Sequence, residues 1–459
     1  MTEHRPAEAT WPLMPNERTW SALRLLIVLA VTAAAPWFFI IGGAIGMYLP
    51  LGMGTAAMIA GGLIGMGIVT LAAVPVSTRY AIDSVAAAVP QFGTRGVVAV
   101  IVPQYFSILG WNATLLVFFG DNVATLAGLA GIEAAWLVPL VTVLALLLCF
   151  PILRHGATGV ERVCQGLVIF VLGVGIVLIW LLVSTHRESI AAAQPVYASG
   201  DPQWDYVTGI EILIATNLGW WAYLGAMARQ VPRASAAVLP SMVGLGLTVP
   251  LLSVIGLAAA LALGHADPSA TLASIGGPVF GVFALTIVAL SNFGTVLAGT
   301  YAAALGLRQV QGFERVGWNA LILASLVPLM VLTLFFAGPV KAHFTTFLSF
   351  IGLVFGPICG IQIADYFLLR RQRLSLRGIY NRNARSPYAF WAGINPAALV
   401  AMAAGCGTYL AILNPLTFTS RFPYAWTTAS LPAVLAAGAI YWLMTTLVVR
   451  PAGKGGYHT

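Results

Sequence analysis

A 459-residue chain with 59% hydrophobic and only 8% charged residues is excluded from the water-soluble globular class, where about a quarter of residues carry charge. The formal net charge of +8 resides in arginines and lysines set between apolar runs. That pattern reports membrane topology and contact with anionic lipid, and it excludes a nucleic-acid footprint. Twelve apolar runs, centred near residues 37, 64, 110, 144, 173, 216, 248, 292, 328, 356, 401 and 438, reach the roughly 20 residues that a membrane-crossing helix needs.

In chain order, residues 1–24 form a polar tail containing Trp11, Pro12 and Pro15, without the short apolar core of a cleavable signal. Residues 25–449 are predicted to form one all-α polytopic domain, and 450–459 a second tail. Span one reads Ala35-Pro36-Trp37-Phe38-Phe39-Ile40-Ile41-Gly42-Gly43, and span six reads Asn217-Leu218-Gly219-Trp220-Trp221-Ala222-Tyr223-Leu224-Gly225. Unwound backbone inside a bilayer is tolerated only where it lines a cavity or is buried in protein. Two interrupted spans at matching positions therefore point to a transporter site between repeats. With spans one and six as the first members of two five-span halves, the odd repeat length inverts the second half. The halves are expected near 25–184 and 206–368, with extra helices near 390–449.

Orientation follows from basic residues. With a cytoplasmic N-terminus, nineteen of the arginines and lysines fall inside, including Arg5, Arg162, Arg370, Arg371, Arg373, Arg382, Arg450 and Lys454; only Arg187, Lys341 and Arg421 fall outside. Both termini are thus expected in the cytoplasm, with the protein in a plasma or inner membrane. Cys149, Cys164, Cys359 and Cys406 sit in or at the ends of apolar runs without paired spacing and read as small buried hydrophobes.

The string Gly356-Pro357…Gly360-Ile361-Gln362-Ile363-Ala364-Asp365-Tyr366, followed by Ile379-Tyr380…Tyr388…Trp391-Ala392-Gly393-Ile394-Asn395, resembles the nucleobase:cation symporter-1 family, with the cytosine-permease branch nearest. Pro12-Leu13 and Arg18-Thr19-Trp20, Gly42-Gly43-Ala44-Ile45-Gly46, Phe92-Gly93…Gly96, Gly110-Trp111, Ala228-Arg229 and Thr295…Tyr301 extend the resemblance along nearly the whole chain. It implies twelve transmembrane helices: a five-plus-five inverted repeat of the leucine-transporter type plus two C-terminal helices. It also implies import of a small heterocycle coupled to Na+ or H+, with no resident cofactor and no obligate protein partner.

A flat nitrogen heterocycle needs an aromatic face and a few polar groups that read its edge. Trp111 lies mid-span, away from the interfaces where tryptophans anchor, and the resemblance places a stacking tryptophan there. Trp37 belongs to the same expected site. Trp220 and Trp221 point about 100° apart on a helix, so one of them faces the cavity, with Trp220 favoured. Asn217 and Asn112 either read the ring edge or satisfy backbone, Gly42 and Gly43 are expected at the helix break, and Gln104 reads as a helix–helix contact.

For the cation, the resemblance implies backbone carbonyls near Phe38 and Ile41 with Thr295 and Ser291 of span eight. Gly294, Val296-Leu297-Ala298-Gly299 and Leu115 replace polar residues common in the family, which makes this site more apolar than that of a typical cytosine carrier. Glu211, inside span six, is the candidate for proton coupling or else a hydrated vestibule residue. Asp121 reads as a gate or vestibule group, and Asp365 as a structural ion pair beside Arg370 and Arg371.

Two other classes fare worse. A membrane-embedded enzyme needs convergent histidines, carboxylates or a nucleophile–base pair, yet His4, His155, His186, His265, His343 and His458 all lie in termini or loops. An amino-acid carrier on the same fold needs a pocket for a carboxylate and an amine, which a tryptophan-rich site does not suit.

Overall fold

The computed structural model describes residues 11–155, 167–381 and 383–457. Arg5, Arg162, Arg382, Cys164, His4 and His458 lie outside the described residues. Among those described there is no sheet, only two isolated bridges.

Span one is two helices, α1 (Ala22–Ala33) and α2 (Trp37–Gly46), bent by 62° at the break. The chain then forms α3 (Leu51–Tyr80), the short α4 (Ser84–Phe92), α5 (Val98–Leu129), α6 (Leu137–Arg154) and α7 (Leu167–Thr185). The second half opens with another split span, α8 (Pro202–Leu218) and α9 (Trp221–Ala228). It continues with α10 (Thr248–Leu263), the short α11 (Pro268–Ser274), α12 (Gly277–Arg308), α13 (Trp318–Phe335) and α14 (Phe344–Ile363). Two further spans, α15 (Pro396–Ile412) and α16 (Ser430–Met444), close the chain. Counting each split pair as one crossing gives the twelve expected spans among the described residues.

Packing follows the inverted repeat. α2 of the first half lies along α10 of the second; the equivalent partners under the repeat, α9 and α3, also pack together, and α8 packs on α3 as well. The self-equivalent pairs α5 with α12 and α6 with α13 are in contact as well. Even the short connecting helices correspond, since each is capped by an aspartate: Asp83 Oδ1 accepts from Ala86 N at 2.8 Å and Asp267 Oδ1 from Ser269 N at 2.9 Å. A side-chain acceptor at that position satisfies an otherwise orphaned helix N–H.

The outward surface carries large apolar side chains such as Ile169, Trp180, Val279 and Leu435, each at least 66% exposed. A surface like this is stable only against hydrocarbon, so the protein is an integral, multi-pass membrane protein. Residues near the two chain ends meet on one face. Trp11 stacks on Tyr380 with ring centroids 5.1 Å apart, and the Tyr457 hydroxyl donates to Asp365 Oδ1 at 2.8 Å. On the same face the Arg18 guanidinium donates to the carbonyls of Thr78, Arg229 and Val231, clamping the lead-in to the ends of α3 and α9.

The first break differs from the expectation. Gly42 and Gly43 lie within the continuous helix α2, and the unwound stretch is Ala34–Pro36. Pro36 has no N–H to give and its ring obstructs the preceding turn, so the interruption falls there. Gly42 serves packing: a Cβ on it would lie 1.8 Å from the Ser253 carbonyl oxygen. Gly256 mirrors it, since its Cβ would meet the Phe39 carbonyl at 2.3 Å. Small residues let the α2 and α10 backbones touch.

Candidate functional site

A cavity of about 240 Å³ opens where both broken spans face α5 and α12. Its aromatic wall is three indoles. The Trp37 ring centroid lies 6.1 Å from that of Trp111 and 5.8 Å from that of Trp220, with interplanar angles of 68° and 58°. Tilted in this way, the rings do not stack parallel on one another, and a flat ligand can be held between aromatic walls of different orientation. Tyr223, one turn after Trp220, adds a fourth ring 5.7 Å from it.

The polar groups are few: the indole N–H donors of Trp37, Trp111 and Trp220, the Tyr223 hydroxyl, three threonine hydroxyls and the Asn112 amide. Thr32, Thr216 and Thr295 line the cavity, and each donates its hydroxyl proton to its own helix: to Val28 O at 2.7 Å, Ile212 O at 2.7 Å and Ser291 O at 3.0 Å. Their lone pairs face potential N–H donors. The Asn112 amide donates to Thr300 Oγ1 at 3.2 Å and to Val296 O at 3.4 Å. Its Oδ1 lies against Gly299, where a Cβ would approach to 2.1 Å. Among the described residues no charged side chain lines the cavity.

Of the residues expected from sequence, Trp37, Trp111, Asn112, Trp220 and Thr295 share this cavity wall; the others lie elsewhere. Trp221 is fully buried and donates from Nε1 to Gln362 Oε1 at 2.6 Å. Asn217 points to α3, where its Nδ2 donates to Gly62 O at 3.0 Å. Because Gly61 and Gly65 hold α3 close to this segment, the amide is used between helices rather than toward the cavity. Phe38 and Ile41 are buried side chains inside the regular part of α2, so their carbonyls belong to the helical ladder. At the break Ala30 O and Val31 O still accept from Ala34 N at 3.1 and 3.2 Å, so the carbonyls left without a helical donor are the last of α1, at Thr32 and Ala33. Ser291 is buried and offers its carbonyl to Thr295.

Glu211 is also away from the cavity. Its carboxylate accepts from Ala429 N at 3.2 Å, Ser430 N at 3.1 Å and Ser430 Oγ at 2.7 Å. It caps the N-terminus of α16, where the helix dipole and orphan N–H groups favour an anion. Asp365 forms the expected pair with Arg370, at 2.6 Å, with both side chains buried.

Sequence reasoning missed Thr32, Thr216, Tyr223 and Met227, whereas Leu115, Ala298 and Gly299, expected to make the site apolar, do line it. Tyr223 and Met227 follow Trp220 at three and seven residues, the spacing of one helix face, and Thr32 sits one turn before the break.

The two faces of the molecule differ. Toward the face that carries the chain ends, a second cavity of about 250 Å³ shares Tyr223, Met227 and Ala298 with the first and runs past Gln104 to Trp20, Asp83 and Gln309. Gln104 also donates to Ala222 O at 3.5 Å, so it is both a helix contact and a wall of this vestibule. On the opposite side Phe344 and Phe347 of α14 pack edge-on against Trp111 at 5.7 and 5.6 Å. Beyond them Lys341 pairs with Asp121 at 2.9 Å.

Comparison with known proteins agrees with this architecture. The hydantoin permease of Microbacterium maritypicum is 30% identical over 157 residues, covering 32% of this chain and 30% of that protein. The allantoin permease of Bacillus subtilis (strain 168) is 36% identical over 81 residues, covering 17% of this chain and 16% of that protein. The chain thus aligns with less than a third of the length of either curated relative. The fold is that of Mhp1, a nucleobase-cation-symport-1 family transporter solved in a closed conformation with bromovinylhydantoin bound. The TM-score is 0.79 at 20% identity, covering 97% of this chain and 96% of the other. Residues 12–431 match the family described as permeases for cytosine/purines, uracil, thiamine and allantoin, and the chain belongs to that family.

Proposed function

We propose that this protein is a secondary active transporter importing a small planar nitrogen heterocycle, coupled to Na+ or H+, by alternating access. The observation that carries this reading is the three-indole cavity at the meeting point of both helix breaks. It continues into a vestibule on one face and is covered by aromatic side chains on the other.

The cavity volume of about 240 Å³ falls below the range of about 300–1,000 Å³ typical of drug-sized ligands and suits one substituted ring. Threonine and Asn112 oxygens beside indole N–H donors suit a ring bearing both N–H and C=O groups, while the lack of a lining charge among the described residues disfavours an amino acid. Hydantoin-, allantoin- and uracil-type rings satisfy both conditions. The named relatives, permeases for hydantoin and allantoin, point the same way.

With both termini cytoplasmic, as the basic residues indicate, the vestibule opens inward. The inverted repeats then span about 25–184 and 206–368. Thr295 with the carbonyls closing α1 at Thr32 and Ala33 forms a hard-oxygen set suited to sodium. Glu211, spent on capping α16, is not the proton carrier in this reading.

The test is uptake of labelled cytosine, uracil, hypoxanthine, allantoin, a hydantoin and a hydroxymethylpyrimidine into cells lacking their own carriers, with sodium or choline outside. Uptake of a hydantoin, allantoin or uracil that collapses in choline, and loses sodium dependence in Thr295→Ala, supports the reading. Uptake of amino acids alone overturns it.

A further inference from the structure

Away from the central site, a cavity of about 560 Å³ opens between the end of α14 and the chain following α16. Arg371, Arg373, Arg450 and Lys454 line it, all exposed. None of the four has an acidic partner within ion-pair distance among the described residues. The nearby carboxylate is already committed: Asp365 takes Arg370 Nε at 2.6 Å, Gln91 Nε2 at 2.7 Å, and the hydroxyls of Tyr441 and Tyr457 at 3.1 and 2.8 Å. The floor of the cavity is therefore electrically spent, and the rim carries four uncompensated cations.

The rim is built rather than accidental. Arg371 and Gln372 both adopt left-handed backbone, at φ 48° and 64°, which costs strain in non-glycine residues and folds the chain so that Arg371 and Arg373 line one space. Tyr80 holds that turn, donating to Gln372 O at 3.1 Å and accepting from Leu374 N at 2.7 Å. Arg450 is fixed by a bond to Leu369 O at 2.8 Å.

One edge of the cavity is apolar. Leu368 lines it while being 64% exposed, and Leu447 and Val448 on the neighbouring span are also exposed. A free inorganic anion would gain nothing from that edge, whereas acyl chains would lie along it. We infer that the cavity binds the phosphate headgroup of an anionic phospholipid, its chains resting on Leu368, Leu447 and Val448. Basic pockets between spans at a membrane surface have this chemistry.

The experiment uses the full-length protein in phosphatidylcholine nanodiscs, titrated with cardiolipin or phosphatidylglycerol and read by native mass spectrometry and thermal unfolding. Inorganic pyrophosphate is titrated in parallel. Wild type is expected to retain the anionic lipid and to melt higher with it. In R371Q/R373Q/K454Q, lipid affinity is expected to fall about a hundredfold, since each basic side chain near the surface contributes about fivefold. Should the triple variant not fold, R373Q alone carries the test with a loss of about fivefold. Equal retention of cardiolipin and phosphatidylcholine, or undiminished lipid binding in a folded variant, overturns the inference. Pyrophosphate matching the lipid at equal concentration also overturns it, in favour of a free-phosphate site.

Discussion

The indole N–H of Trp221 donates to Oε1 of Gln362 at 2.6 Å, tying the second half of span six to span ten. Trp220, one residue earlier, faces the central cavity. The two tryptophans thus have opposite duties, and substitution should separate them. Trp221→Phe strands a buried amide oxygen, which costs about 1–3 kcal/mol of stability, while heterocycle affinity stays within about twofold. Trp220→Ala should do the reverse. Thermal unfolding and binding isotherms on the two purified variants check this, and a shared phenotype would contradict the division.

Trp111 lines the cavity and meets Trp37, Phe344 and Phe347 at interplanar angles of 68°, 75° and 79°, so none of the three stacks parallel on it. Base–aromatic stacking is worth about 1–3 kcal/mol, so Trp111→Ala should weaken substrate binding by about 5- to 150-fold, and Trp111→Phe by much less. Wild-type affinity in Trp111→Ala would remove this ring from the site.

The fold was legible because hydrocarbon solvent forces every span to announce itself by length and apolarity, and because Pro36 and the Asn217–Gly219 stretch mark matching spans. The cavity was legible through mid-span tryptophans, which are too large and polar to be casual packing. What stayed hidden depends on helix rotation and on tertiary partners. Asn217 and Glu211 look functional in sequence because a polar group in a membrane needs a reason. Their reasons, the Gly62 carbonyl and the α16 N-terminus, lie 155 and 218 residues away in the chain. Gly42 was read as a break because glycine serves both unwinding and close packing, and only the Ser253 backbone beside it decides between them.

Glu211 should therefore behave as a structural anion. Glu211→Gln places an amide N–H₂ among backbone and hydroxyl donors, so it loses at least one of three hydrogen bonds and the favourable dipole. The expected cost is about 1–3 kcal/mol, seen as a lower unfolding temperature. The dependence of uptake on external pH should match wild type. A stable Glu211→Gln protein that no longer responds to a protonophore would return the coupling role to this residue.

Gly42→Ala should be among the most damaging single-methyl changes in the chain. The added carbon would sit 1.8 Å from a backbone oxygen that cannot rotate away, so α2 and α10 must separate. Overpacking of this kind costs about 1–3 kcal/mol and occasionally more. Gly52→Ala is the matched control, because nothing lies within 4 Å of the new carbon. Folded yield and melting temperature of the two variants should diverge; equal behaviour would mean the helices are not in contact as described.

The pair between Lys341 and Asp121 should bias the side opposite the vestibule toward closure. It joins α5 to the turn before α14, directly outside the Phe344 and Phe347 cover. Its side chains are 43% and 24% exposed, and surface pairs are worth about 0–1 kcal/mol, so the bias is at most about fivefold in population. Lys341→Gln should raise opening on that side by up to this factor, and high salt should reproduce the effect in wild type by screening. Ala298 borders both cavity and vestibule, so Ala298→Cys in a cysteine-free background reports access from either face. An impermeant thiol reagent should label it from the vestibule side in the parent, and faster from the opposite side once Lys341 is replaced. If labelling from that side is unchanged by both Lys341→Gln and salt, closure rests on the aromatic cover alone.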